Sequence, residues 1–203
     1  MNWNVGYGFN FRNSAIQGSH PEFSVMGGVE DFDFGVLVSP YEGALDLAWN
    51  YEGEKSLRST AGISLNNYWD NGGLWTLYAD CGQDFRFWNA FALRYRVGLQ
   101  IGLSWSPYSP DLVPFSFSPY AYWAIGYEGD FLHALVYGHG RRQFEHTFQA
   151  PPVLGFDLGW DVDEHNTFNF DAFIKLADYI EGPDLVITDL AFRLSYVYRG
   201  ETV

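Results

Sequence analysis

Lysine is almost missing from this chain: Lys55 and Lys175 are the only two among eleven basic residues. Twenty-five carboxylates outnumber those bases and leave a formal charge of −14. A nucleic-acid partner needs a basic footprint, so that class of partner is excluded. Cysteine occurs once, at Cys81, which rules out an internal disulfide framework and a multi-cysteine metal site. No run approaches the roughly 18 consecutive apolar residues of a transmembrane helix. Met1 leads directly into Asn-Trp-Asn without a basic and apolar leader, so the expectation for an exported protein is a mature chain with its signal peptide absent. Low-complexity segments and an internal domain boundary are also missing, and residues 1–203 read as one domain.

Aromatic residues and glycine are abundant instead. Phe, Trp and Tyr make up 20% of the chain, about double an ordinary share, and there are 22 glycines. They are arranged with a period of two, the signature of strands. In FALRYRVGLQIGLSW, residues 91–105, one phase collects Phe91, Leu93, Tyr95, Val97, Leu99, Ile101, Leu103 and Trp105. The other phase collects Ala92, Arg94, Arg96, Gly98, Gln100, Gly102 and Ser104. The same alternation returns near residues 3–11, 23–29, 32–38, 45–51, 57–65, 75–81, 117–127, 154–162, 168–176 and 188–198. Residues 131–140 alternate in either phase. The count is twelve strands, with ten as the alternative if a segment is misassigned. Brief links near 31–33, 52–55, 128–130 and 163–166 interleave with longer ones at 12–21, 106–114, 140–152 and 178–184. Turns at one end and loops at the other are what an even-stranded meander produces.

The composition of the polar phase decides which face points inward. A strand with one face in water should carry Lys, Glu and Thr there. Here that face carries Gly, Ala, Ser, Asn, Asp and Arg, which suits a crowded concave lumen. The apolar phase is long and tends to end on Trp, Tyr or Phe, like the aromatic girdles at the two interfaces of a bilayer. Strands of about 9–11 residues cross a bilayer when tilted. The greasy face is therefore expected to meet lipid, where a closed barrel satisfies every backbone polar group without leaving an edge.

On this whole-length alternation the chain resembles the Gram-negative outer-membrane β-barrel superfamily. The resemblance implies an all-β, antiparallel, up-and-down transmembrane barrel in the bacterial outer membrane, in contact with lipids and lipopolysaccharide. It also implies a porin-like channel for passive diffusion of small polar solutes or ions. The lumen expected from the inward phase contains Arg58, Arg94, Arg96, Lys175 and Arg193 against Asp46, Asp80, Asp157, Asp161, Asp171 and Asp189. Arginines concentrate in strands five to seven and aspartates in strands ten to twelve. In a closed barrel these sectors lie broadly opposite, giving a transverse field across a wet constriction. The frequent glycine and alanine of the inward phase favour an open lumen.

Other readings follow from other residues. The same charges can pair across strands and plug the lumen, leaving a structural barrel, an adhesin or a subunit of an envelope complex that meets partners through loops 106–115 and 140–152. A lipid-modifying hydrolase is the enzyme alternative, with His139 and His146 in YGHGRRQFEH as candidates, but no nucleophile accompanies either histidine. Asp161, Asp163 and Glu164 could gather a cation but read better as a solvated turn. No cofactor and no metal are expected.

Overall fold

The computed structural model describes residues 2–13, 19–53, 56–69, 72–88, 90–105, 115–139, 153–178 and 185–201. Twelve strands follow one another: β1 (Asn2–Asn13), β2 (His20–Val29), β3 (Phe32–Val38), β4 (Glu42–Glu52), β5 (Leu57–Tyr68), β6 (Gly72–Phe87), β7 (Phe91–Trp105), β8 (Phe115–Glu128), β9 (Leu132–His139), β10 (Val153–Asp161), β11 (Asn166–Asp178) and β12 (Leu185–Glu201). Each pairs antiparallel with its sequence neighbours, and β1 pairs with β12, so the sheet closes into a barrel. Closure satisfies both edges at once, which a sheet standing in hydrocarbon requires.

The two ends of the barrel differ. At the turn end, Asn2 and Glu201 meet in register, and Glu30–Asp31 joins β2 to β3 in two residues. Glu30, Ser56 and Trp88 take left-handed φ angles of 53°, 62° and 47° in the links after β2, β4 and β6. Such backbone lets a tight hairpin follow the right-handed twist of its strands. The links after β8 and β10 share the turn end, and Ser39–Tyr41, between β3 and β4, lies at the opposite, loop end.

Register keeps the two phases apart around the whole circumference. Leu99 lies opposite Ala79 and Pro119, while the neighbouring Gly98 lies opposite Asp80 and Tyr120. One phase faces outward and stays exposed: Tyr7, Leu47, Leu77, Val97, Leu99, Ile125 and Leu194 belong to it. Several of its aromatic members stand near the rims, while Tyr7, Trp123 and Phe192 lie farther from the strand ends. Trp49, Tyr51, Phe91, Tyr127, Trp160 and Phe168 stand toward the turn end, and Phe9, Phe11, Phe23, Trp75, Trp105 and Phe115 toward the loop end. Buried positions are the reverse of a water-soluble core, being mostly small or polar: Asn10, Ala44, Asp46, Ser64, Asn66, Thr76, Ala124, Thr167 and Ala191.

Strand β9, ambiguous by alternation, has a definite phase. Val136 lies opposite Ile125 and Phe156 on the outer face, and Tyr137 opposite Ala124 and Gly155 on the inner one. His133 shares the inner face. Residues 131–140 suit both phases because Leu132, Ala134 and Val136 are apolar, and so are Leu135 and much of Tyr137. Register to β8 and β10 settles what hydrophobicity leaves open.

Candidate functional site

A cavity of about 670 Å³ lies inside the barrel. That volume falls within the range of about 300–1,000 Å³ common for small-molecule sites. Six of the expected lumen charges line it: Arg94, Arg96, Arg193, Asp80, Asp157 and Asp171. Arg58 and Asp161 sit on the inward phase closer to the turn end. Asp46 is buried toward the loop end and does not reach the cavity. Lys175 and Asp189 face each other in register across β11 and β12, and their side chains lie outside the described set.

The arginine sector is tied to carboxylates on adjacent strands. Arg58 spans β4 to β6, with Nη2 at 2.7 Å from Glu52 Oε1 and Nε at 3.2 Å from Asp84 Oδ2. The other Asp84 oxygen holds Arg96 Nη1 at 2.7 Å. Arg94 pairs with Glu128 on β8. Arg86 shares Glu128 with Arg94, at 3.9 Å. The expected transverse field is therefore reduced on its positive side, because the four guanidinium groups face three carboxylates, Glu52, Asp84 and Glu128. In the opposite sector Arg193 Nε gives its ion pair to Glu22 on β2, at 2.9 Å. Glu22 also accepts from Asn10 Nδ2 at 2.9 Å.

Glu22, Asp84 and Glu128 are thus lumen groups that the alternation did not single out. Asp84 merely continues the inward series Thr76, Tyr78, Asp80, Gly82 beyond the point where the strand was expected to end. Glu22 and Glu128 sit at strand termini, where pattern reading is weakest.

A second arrangement recurs three times. Tyr78 on β6 reaches over Gly62 on β5 and donates its hydroxyl to Asp46 on β4, at 2.9 Å. Tyr120 on β8 crosses Gly98 on β7 to Asp80 on β6, at 2.6 Å. Tyr137 on β9 crosses Gly155 on β10 to Asp171 on β11, at 2.7 Å. In each case the tyrosine ring occupies the place where a glycine lacks its side chain: a Cβ on Gly98 would stand 2.7 Å from the Tyr120 ring. Likewise Gly159 lies under the ring of His133, whose Nε2 is 3.1 Å from Asp157 Oδ2. Inward glycine was expected to leave space open. Around much of this wall it instead seats a ring, which ties strands two apart and fills part of the lumen.

The remaining candidates are dispersed. Asp161 accepts from Thr167 Oγ1 at 2.5 Å and pairs with Arg199 at 3.2 Å. Asp163, in the turn between β10 and β11, accepts from the backbone N–H of His165 and Asn166 at 2.8 and 2.9 Å. Those donors hold its carboxyl below the usual carboxylate range. The side chain of His139, all of His146, and most of loops 106–115 and 140–152 lie outside the described residues.

No protein-family model matches the chain, and no curated protein matches its sequence. Solved structures do match its shape. One is the KdgM porin in complex with disordered oligogalacturonate, with a TM-score of 0.63 and 8% identity over 96% of this chain and 98% of that one. The NanC porin gives 0.60 at 9% identity, again over 96% and 98%. A bacterial polysaccharide outer membrane secretin gives 0.56 at 6% identity over 98% of both chains. At these identities the likeness concerns the fold alone: a closed barrel of twelve antiparallel strands, similar in shape to those structures.

Proposed function

We propose that the chain, as a single barrel domain over residues 1–203, is a channel of the bacterial outer membrane through which small polar solutes or ions diffuse. The observation that carries this reading is the 670 Å³ cavity, lined in part by charged and hydrogen-bonding side chains, inside a barrel whose outer face is apolar. Water and solute can occupy such an interior only if its lining hydrogen-bonds to them, and Arg94, Arg96, Asp157, Asn169, Asp171, Arg193 and Ser195 supply that lining. The outer aromatic rims act as interfacial girdles against lipid and lipopolysaccharide. The described wall charges act through the field they set on a passing solute.

The test is single-channel conductance after reconstitution into planar bilayers. Discrete steps that scale with salt concentration are expected. Their absence from folded, inserted protein overturns the reading.

One observation favours a second reading. Toward the loop end the inward side chains of Asn10, His20, Glu42, Ser64, Asn66 and Thr76 are buried. Together with the ring-covered glycines they describe a partly filled interior. A filled barrel would serve as a structural or adhesive envelope component through loops 106–115 and 140–152, and it would not conduct.

A further inference from the structure

Accepting the channel reading, we infer that the lumen prefers cations, and that Asp157 and Asp171 set this preference. The two walls of the cavity are not equivalent in charge. On the arginine side four guanidinium groups, Arg58, Arg86, Arg94 and Arg96, are balanced by four carboxylates, Glu52, Asp84, Glu128 and the cavity-lining Asp80. On the opposite side the one described guanidinium lining the cavity, Arg193, lies across from Asp171 in register, yet its ion pair goes to Glu22. Asp171 is held by a neutral phenol, Tyr137, and Asp157 by the imidazole of His133.

Asp157 and Asp171 are themselves direct cross-strand partners. Like charges directly opposite one another repel. Both carboxylates line the cavity and both are partly exposed to it, so mobile cations can add to Arg193 and His133 in offsetting that repulsion. One wall is therefore close to neutral while the facing wall retains two carboxylates. An ion in the cavity meets a net negative potential, and the arginines, already engaged, do not reverse it. The same balance disfavours passage of polyanions and admits neutral polar solutes.

A carboxylate about 4 Å from an ion in a water-like medium changes its occupancy about fivefold, and salt screening reduces this across a lumen. The experiment is a reversal-potential measurement in planar bilayers under a potassium chloride gradient. The wild-type channel should favour potassium over chloride about fivefold, more strongly at low salt. The Asp157→Asn/Asp171→Asn double variant keeps side-chain size and should bring the ratio close to one. Anion preference in the wild type overturns the inference without recourse to any variant. So does a ratio the double variant leaves unchanged. Absence of conductance in folded protein is a different failure, since it removes the channel reading and this inference with it.

Discussion

Moving arginine along the outside of β7 reads out where hydrocarbon meets this molecule. Leu99 is half exposed and stands near the middle of that strand, with Phe91 and Trp105 at its ends. Arginine on the lipid face of a barrel costs about 2–4 kcal/mol at the bilayer midplane and about 0–1 kcal/mol near the interfaces. Leu103 lies four residues farther along the same face. With a rise of about 3.3 Å per residue and a tilt of about 40°, it is about 10 Å closer to the loop-side interface. An apolar band about 25 Å tall leaves it close to the rim. Leu99→Arg should therefore destabilise by about 2–4 kcal/mol and Leu103→Arg by about 1 kcal/mol or less. Ser195→Arg is the internal control, because Ser195 lines the cavity and its replacement leaves the lipid face untouched. The assay is guanidinium unfolding in lipid vesicles, followed by the fluorescence of the eight tryptophans, with the denaturant slope checked for constancy. Equal costs at Leu99 and Leu103, or a greater cost at Ser195 than at Leu99, would refute the assignment of this face to lipid.

Three further outcomes follow from the interior and the turns. Tyr137→Phe removes the hydroxyl bound to Asp171 and should cost about 1.5–3 kcal/mol. Gly155→Ala pushes the same ring off its seat, so a double-mutant cycle between the two should show strong coupling, and simple additivity would deny the brace. Replacing Arg94 and Arg96 by glutamine leaves Glu128 and Asp84 without their partners and should move the reversal potential farther toward cations; an unchanged value would place both arginines outside the conducting path. Asp163 has a depressed native pKa, so its contribution to stability is present above the unfolded value and lost as pH falls through the lower native one. The unfolding midpoint of Asp163→Asn should therefore lie below that of the wild type at neutral pH, and the gap should close below about pH 4. No gap at neutral pH would show that the turn does not depend on the charge.

The barrel was legible because its two phases answer to two solvents. Where one face meets hydrocarbon, every outward position of β7 must be apolar, and the alternation runs unbroken from Phe91 to Trp105. The twelve strands and their antiparallel closure follow from that signal. What eluded the pattern was local. In β9 the residues on both faces are apolar enough to suit either environment, and only pairing to Gly155 and Ala124 directs Tyr137 inward. Charge balance in the lumen was harder still. Alternation places Arg94 and Arg96 on the inner face, but Asp84 and Glu128 lie at strand ends, where the period fades. The tyrosine braces leave a sequence trace in hindsight: tyrosine and glycine both occupy the inward phase. Which ring lies over which glycine depends on register between strands, and a single chain's sequence does not state that register.

The seam between β1 and β12 has a kinetic consequence. Every other pairing joins neighbours in the chain and can zip one hairpin at a time, whereas this one brings Asn2 alongside Glu201. Loop-closure entropy for so distant a contact is met only after the intervening strands have ordered. Joining those two ribbons is then the slow, final event of assembly. Until it happens the nascent molecule carries two bare strand edges into the bilayer, the stage at which it is most open to capture by another copy of itself.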